Sequence, residues 1–237
     1  MKRGTTLALL AAGLLQGSQV ALAADVDHAV QKAPNFVEPL FPPTVSSPWF
    51  ARIGVVGVFY DSSARIVVNG QEIAGASARV SNNVTVTFDI GYDLTENIAL
   101  SLMLGVPAKP TFTGEGAIAS LGELGKVLFG PAVLSGYYRW PSFGGIRPYT
   151  GVGVAYAVVF KNFDAAVTQV DVHNGWGFAL QGGAEYKLND RFDLFVDYKK
   201  IWISLDADGL VNGVVPATAR AKLNPTLISA GLKFHFP

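Results

Sequence analysis

The sequence of 237 residues contains no cysteine, which excludes a disulfide framework, thiol catalysis and zinc binding through thiolates. Charged side chains are also scarce: they make up 15% of the chain, against roughly 25% in soluble domains. The 18 basic residues balance the 18 acidic residues, so the chain lacks the basic field that attracts nucleic acid. Half of the residues are hydrophobic. This composition excludes nucleic acid as a partner and indicates a non-aqueous environment.

Long apolar runs are absent beyond the N-terminus. Lys2 and Arg3 precede an apolar run, Leu7–Leu15, and the small-residue pattern Ala21-Leu22-Ala23 follows. This order is typical of a secretory signal peptide and predicts cleavage after Ala23. No later apolar run approaches the roughly 20 residues that a transmembrane helix needs. Secretion combined with a membrane-like composition favours a closed β-barrel in the outer membrane of a Gram-negative bacterium.

Side-chain character alternates with period two along most of the chain after residue 48. Residues 24–48 contain five prolines without a period, and they predict an extended periplasmic segment. Val84–Tyr92 alternates apolar and polar residues at every position, as expected for a strand with two different faces. Eight such runs predict strands at 49–60, 84–92, 98–105, 127–140, 147–160, 175–188, 192–198 and 228–236. The predicted organisation is a signal peptide at 1–23, a proline-rich segment at 24–48 and a barrel at 49–237.

The connections between these runs alternate between short and long. Three are short, at 93–97, 141–146 and 189–191, and four are long, at 61–83, 106–126, 161–174 and 206–222. Short periplasmic turns and long external loops are typical of outer-membrane barrels, and an even strand number places both termini in the periplasm. The predicted fold class is therefore all-β: an eight-stranded antiparallel transmembrane β-barrel of the bacterial outer membrane.

Alternation alone does not say which face points inward, and a soluble lipid-binding barrel with an apolar interior is an alternative. The polar face consists mostly of Gly, Ser, Thr and Ala, whereas a water-exposed exterior needs charge. The apolar face ends in aromatic residues near the short turns: Tyr92, Tyr138, Trp140, Tyr186, Phe192, Phe234 and Phe236. Aromatic rings at that height form the interfacial girdle of a membrane barrel. Both features favour lipid on the outside.

The inward positions differ between the two ends of the predicted barrel. Near the short turns they are mostly charged and predict a periplasmic ionic plug: Arg52, Asp89, Arg139, Glu185, Lys187, Asp193, Asp197, Lys199 and Lys233. Near the long loops they are apolar and predict a substrate path: Val56, Val58, Tyr60, Met103, Phe129, Val133, Val159, Ile201, Ile203 and Leu227. An eight-stranded barrel has room only for side chains or one small ligand, which argues against a water-filled porin.

Two prolines predict a lateral gate between the third and fourth strands. Pro131 lies near the outer end of the fourth strand, and Pro107 follows the third. Proline has no N–H, so it removes a hydrogen bond from the ladder and is usually kept out of central strands. We expect the two strands to separate there and open the path sideways into lipid. A bulge or an early end of strand pairing is the alternative.

Several runs resemble the OmpW family of outer-membrane proteins, with AlkL-like features: Thr87–Tyr92, Leu94–Leu100, Leu128–Pro131, Arg147–Gly153 and Gly231–Phe234. The resemblance implies an eight-stranded barrel with a narrow hydrophobic channel for small hydrophobic molecules. Related AlkL-type proteins are linked to alkane uptake. Barrels of this class usually end on an aromatic residue that the outer-membrane assembly machinery recognises, whereas here Pro237 follows Phe236.

No constellation for catalysis stands out. His28, His173 and His235 are not in metal-ligand spacing, and the G-x-S-x-G nucleophile motif is missing. We therefore expect no enzyme activity, no metal and no cofactor. The predicted function is a channel for small hydrophobic molecules with lateral exit, whose partners are outer-membrane lipid, hydrophobic solutes and the assembly machinery. The alternative is a sealed structural barrel that presents its loops for adhesion or partner binding.

Overall fold

A computed structural model describes residues 47–211 and 213–237. The predicted signal peptide and nearly all of the proline-rich segment lie outside the described residues. The strands are β1 (Trp49–Phe59), β2 (Ser63–Val68), β3 (Gln71–Glu72), β4 (Ala76–Val80), β5 (Asn83–Asp93), β6 (Ile98–Gly105), β7 (Thr111–Gly116), β8 (Glu123–Arg139), β9 (Ile146–Asp164), β10 (Val167–Val172), β11 (Gly175–Lys187), β12 (Phe192–Val211), β13 (Val215–Lys222) and β14 (Thr226–His235). In this part of the chain, no helix has the length and apolar character needed to cross a bilayer.

Eight of the strands form a closed antiparallel ring in the order β1-β5-β6-β8-β9-β11-β12-β14. The ring closes where β14 pairs with β1, from Phe50–His235 to Phe59–Thr226. Closure leaves no unpaired strand edge in the ring, as a lipid environment requires. The predicted eight-stranded barrel is confirmed. Below, the end with the short turns is called the lower end, and the opposite end is called the upper end.

The outer surface of the ring is apolar. Along β1, Ile53 and Val55 are more than half exposed, whereas their neighbours Arg52 and Val56 are buried at 4% and 2% exposure. Aromatic pairs lie on the outside at the lower end: Trp49–Tyr92, Tyr138–Trp140 and Phe192–Phe234, with ring centroids 5.0, 5.1 and 5.3 Å apart. An apolar outside with an aromatic girdle suits acyl chains and excludes the soluble barrel with an apolar interior.

The four long connections were predicted as loops, and this is wrong for most of their length. They form β2, β3, β4, β7, β10 and β13, and the upper parts of β8, β9 and β12 extend beside these strands. We call these strands and strand extensions together the upper wall. Along β13, Ala217 and Ala219 are half-buried, whereas Thr218 and Arg220 are exposed. Alternation of Ala with Thr or Arg has little apolar content, which is why periodicity did not reveal a strand. The upper wall is polar outside, so it stands in water.

Candidate functional site

Strand β12 spans the whole lumen and shows how its lining changes with height. From the lower end, its first inward residues are buried and mostly charged: Asp193, Phe195, Asp197 and Lys199. The inward residues that follow are apolar: Ile201, Ile203, Leu205 and Ala207. The lining therefore changes from charged to apolar within one inward step, between Lys199 and Ile201.

Glu185 is the centre of the charged region. Its carboxylate forms an ion pair with Arg52, and it accepts a hydrogen bond of 3.1 Å from the Lys233 ammonium. Arg139 Nε lies 3.4 Å from the same carboxylate, and its guanidinium also pairs with Asp93. The side chains of Glu185 and its three cationic partners are all at most 5% exposed. Three cations around one buried carboxylate need the other acids nearby to balance them.

The remaining charges of this region lie next to that centre. Asp193 Oδ2 is 2.7 Å from His235 Nε2 and 3.9 Å from the Lys233 ammonium. Asp197 accepts a hydrogen bond of 2.7 Å from the Tyr149 hydroxyl and lies 3.6 Å from the Lys199 ammonium. These groups form what is called the ionic cluster: Arg52, Asp89, Arg139, Glu185, Asp193, Asp197, Lys199 and Lys233.

Lys187 was predicted to belong to the plug and does not. Its side chain is 64% exposed, and its ammonium lies 2.8 Å from Asp190 in the adjacent turn. Lys187 is the last residue of β11, so it has passed the buried part of the lumen. Alternation predicts the side on which a residue lies, but not whether the ring still encloses it at that height.

Sequence reasoning did not identify four buried aromatic residues that surround Arg52: Phe50, Tyr137, Tyr149 and Phe195. Their ring centroids lie 5.1–5.4 Å from the Arg52 guanidinium carbon, within the range of cation–π attraction. Each is a register partner of a glycine: Phe50–Gly91, Tyr137–Gly151, Tyr149–Gly183 and Phe195–Gly231. Inward aromatic residues opposite strand glycines were the signal that could have found them. At Gly91 and Gly183 the absent side chain makes room for the rings of Phe50 and Tyr149.

The predicted path residues come together above the ionic cluster. Eight of them are buried in one apolar cluster: Val56, Val58, Met103, Phe129, Val133, Ile201, Ile203 and Leu227. Tyr60 and Val159 are half-buried and pack against it. The cluster also contains Val80, Val127 and Val172, which come from or border the connections predicted as loops. We call the whole assembly the apolar column, and it continues into the upper wall.

Two cavities lie along the apolar column. The upper cavity has a volume of about 130 Å³ and is lined mostly by apolar side chains of the upper wall, among them Ile66, Phe112, Val170 and Leu205. The lower cavity has a volume of about 40 Å³, which is room for no more than a few water molecules. Val58, Met103 and Ile201 line the lower cavity. The lower column is therefore narrow, and a solute would need side chains there to move.

The ladder between β6 and β8 is interrupted beside the lower cavity. Regular pairing ends at Leu104–Ala132 and resumes at Ala108–Phe129, where both backbone hydrogen bonds form at 3.0 and 3.1 Å. Between these pairs, residues 105–107 face residues 130–131 without register pairs. We call these two segments the seam. Pairing of 129–133 is thus incomplete, and three residues face two, so the register shifts by one residue as in a β-bulge, the alternative to a gate. Strands β6 and β8 remain side by side.

The backbone nitrogen of Pro131, which carries no hydrogen, faces the seam. The Phe129 N–H points toward Ala108, and alternate residues of a strand direct their backbone groups to the same side. The Pro131 nitrogen therefore points toward residues 105–107, where Pro107 lacks an N–H as well. Gly105, Val106 and Pro131 also line the lower cavity. The seam is thus part of the wall of that cavity, and Pro107 and Pro131 leave it with two fewer N–H donors than a regular ladder.

At the lower end, a polar cavity of about 660 Å³ opens below the ionic cluster. Arg139, Glu185, Asp193 and Lys233 form its roof, and Arg147 and Lys187 lie at its rim. The ionic cluster thus separates this cavity from the apolar column. Among the described residues, no group of three or more His, Asp or Glu side chains could hold a metal ion.

Comparison with known proteins agrees with this geometry. The OmpW family model matches residues 48–236. The dibenzothiophene metabolism operon protein PahQ of Pseudomonas aeruginosa is 36% identical over 190 residues, which cover 80% of this chain and 89% of PahQ. Outer membrane protein AlkL of Ectopseudomonas oleovorans is 36% identical over 71% of this chain and 73% of its own. The crystal structure of OprG from Pseudomonas aeruginosa has the same fold, with a TM-score of 0.74, 21% identity and coverage of 81% of this chain and 97% of OprG. The chain therefore belongs to the OmpW family of outer-membrane proteins.

Proposed function

We propose that the barrel conducts small hydrophobic molecules from the outside of the cell into the outer membrane. A solute enters the upper cavity, moves down the apolar column and leaves sideways through the seam. The observation that carries this proposal is the position of the seam: the ladder is interrupted where the apolar column meets the ionic cluster. A solute that has descended the column meets charges below it and a weak wall beside it.

The driving force is the transfer of apolar surface out of water. Burying apolar area is worth about 25 cal/mol per Å², so the upper cavity attracts a hydrocarbon before it reaches the depth of the bilayer. The exit leads to acyl chains, which are as apolar as the column. The solute therefore gains most of its free energy on entry and meets no further aqueous step.

The ionic cluster gives the path its direction. A hydrocarbon that moved downward would have to separate Glu185 from Arg52 and Lys233, and breaking a buried pair costs about 3–5 kcal/mol. Opening the seam breaks fewer backbone hydrogen bonds than opening a regular pair of strands, because Pro107 and Pro131 have no N–H. The seam is accordingly the easier exit.

The relatives support this choice of solute. PahQ is named for an operon of dibenzothiophene metabolism, and dibenzothiophene is an apolar, polycyclic compound without charge. The lining of the column in this chain suits the same chemical class. Identity of 36% over most of both chains makes a shared solute class a reasonable starting point for an assay.

A charge in the column tests the proposal. Val133→Asp and Ile201→Asp place a carboxylate at fully buried positions, 0% and 1% exposed, and should reduce uptake of N-phenylnaphthylamine by cells about tenfold or more. Val214→Asp is the matched control, because Val214 is 75% exposed in a turn of the upper wall. Each variant must retain heat-modifiable gel mobility. Uptake that is unchanged in folded column variants, or equal in cells without the protein, would favour the sealed structural barrel instead.

A further inference from the structure

The floor of the apolar column contains buried polar atoms without a hydrogen-bond partner among the described residues. They are Thr87 Oγ1, Ser135 Oγ and Gln181 Oε1, on residues that are 2%, 1% and 6% exposed. Thr87 lines the lower cavity, and Ser135 lies one inward step below Val133. Buried polar groups are nearly always paired, and an unpaired one costs free energy. Three unpaired groups on three strands near one level indicate that something else pairs with them.

Lys199 belongs to the same level. It is the register partner of Gln181, and its ammonium is 3.7 Å from Met103 Sδ and 3.6 Å from Asp197 Oδ2. A thioether is a weak acceptor, and an ammonium has three N–H groups to donate. Lys199 is 3% exposed, so its remaining N–H groups have no access to bulk water. The floor therefore has unused donors as well as an unused acceptor.

The charges at this level determine which polar head group a solute bound in the column could carry. Lys199 lies beside Asp197, and Asp89 interacts electrostatically with both Lys199 and Arg52, so two cations already balance two carboxylates here. An anionic head group would be repelled by both acids. A neutral oxygen can accept from an N–H or O–H without adding charge. The surroundings thus favour a neutral head group over a carboxylate.

We propose that the floor binds the neutral oxygen of a monooxygenated hydrocarbon, such as a medium-chain alcohol, while the apolar body of the molecule lies in the column. The inference rests on the proposed function and names its solute class more closely. A hydroxyl head group accepts from Lys199 and the Thr87 or Ser135 hydroxyl, and it donates to Gln181 Oε1. A pure alkane of the same length leaves these groups unpaired and binds less tightly.

Met103 provides a direct probe of the floor. It is one of two methionines, and Met1 lies in the predicted signal peptide. Methyl-labelled Met103 in lipid nanodiscs is titrated with octanol, octane and octanoate, and affinities are compared at equal solute-to-lipid ratios. We expect octanol to bind roughly fivefold more tightly than octane, as one or two added hydrogen bonds allow, and octanoate to bind more weakly than octanol.

The double variant T87V/S135A separates this inference from a structural role. It removes two unpaired hydroxyls at nearly constant volume, so the barrel should stay folded and the octanol-to-octane preference should fall to about twofold, since Lys199 and Gln181 remain. Thr85→Val is the control, because Thr85 lines the same cavity but its hydroxyl already donates to Val106 O at 3.1 Å. Equal affinity for octanol and octane in the unchanged protein would overturn the inference. So would an equal loss of preference in the control. Absence of any Met103 shift with octane would instead overturn the proposed function.

Discussion

Phe50 and Gly91 are register partners on β1 and β5, and the Phe50 ring occupies the space of the side chain that Gly91 lacks. A β-carbon added at Gly91 would lie 1.9 Å from Phe50 Cζ. Phe50 is fully buried, and its ring lies under the Lys233 ammonium, which is 4.4 Å from the ring centroid. Gly91 therefore leaves room for the Phe50 ring, and this ring in turn supports the Lys233 ammonium in the ionic cluster.

Gly91→Ala should destabilise the barrel by about 1–3 kcal/mol, because the ring must leave its place in a closely packed lumen. Urea titration of the folded protein in detergent micelles measures this change. Gly136→Ala is the control, since its nearest neighbour would be the flexible Leu100 side chain at 3.5 Å. Equal stability of the two variants would show that the ring moves without cost.

Glu185→Gln should lower the free energy of unfolding by about 3–5 kcal/mol, because three buried cations lose their shared carboxylate. It should also raise single-channel conductance in planar bilayers, as water enters to solvate the unpaired cations. Glu72→Gln removes the exposed partner of Arg65 and should change neither quantity measurably. A folded Glu185→Gln barrel with unchanged stability and conductance would contradict the sealing role of the ionic cluster.

Pro131→Ala restores a backbone N–H that faces the seam. One added ladder hydrogen bond should slow uptake of N-phenylnaphthylamine by about two- to tenfold, without loss of stability. Pro216→Ala, on exposed β13, changes the same residue type outside the ring and should leave uptake unaltered. Unchanged uptake in a folded Pro131→Ala barrel would contradict exit through the seam.

His173 in the upper wall should titrate above its ordinary pKa of 6.5, because its ring hydrogen-bonds to Asp208, 2.9 Å away, with Asp171 and Asp206 nearby. A raised pKa means that the contact stabilises the fold fully below the ordinary pKa. This stabilisation is lost as the pH rises through the raised value. In an NMR titration, Asp208→Asn should return the pKa toward 6.5, whereas Asp61→Asn should not. An unchanged titration in Asp208→Asn would contradict the contact.

The eight-stranded ring could be predicted because the environment outside it differs sharply from the environment inside it. Lipid outside and a crowded lumen inside make neighbours such as Arg52 and Ile53 opposite in character, and this contrast is visible in the sequence. The upper wall has water outside and small apolar residues inside. On β13, for example, Arg220 faces outward and Ala219 faces inward. That weaker contrast concealed its strands.

The lining of the site was less accessible to sequence reasoning than the fold. Alternation places Lys187 and Glu185 on the same side, yet one pairs with Asp190 in a turn and the other with Arg52 in the lumen. Height along the barrel and register between strands decide such partners. Tyr149 was missed for a related reason, because its fit depends on Gly183 of a strand that comes later in the chain.

The last strand of the ring pairs with the first, with Lys233 of β14 opposite Arg52 of β1. A growing chain that has not yet made β14 has two free edges, and Glu185 lacks one of its cations. Docking of the final segment therefore completes the backbone ladder and neutralises the interior in the same event. An incomplete copy would carry open edges and unbalanced charge together, both of which hinder its entry into a bilayer.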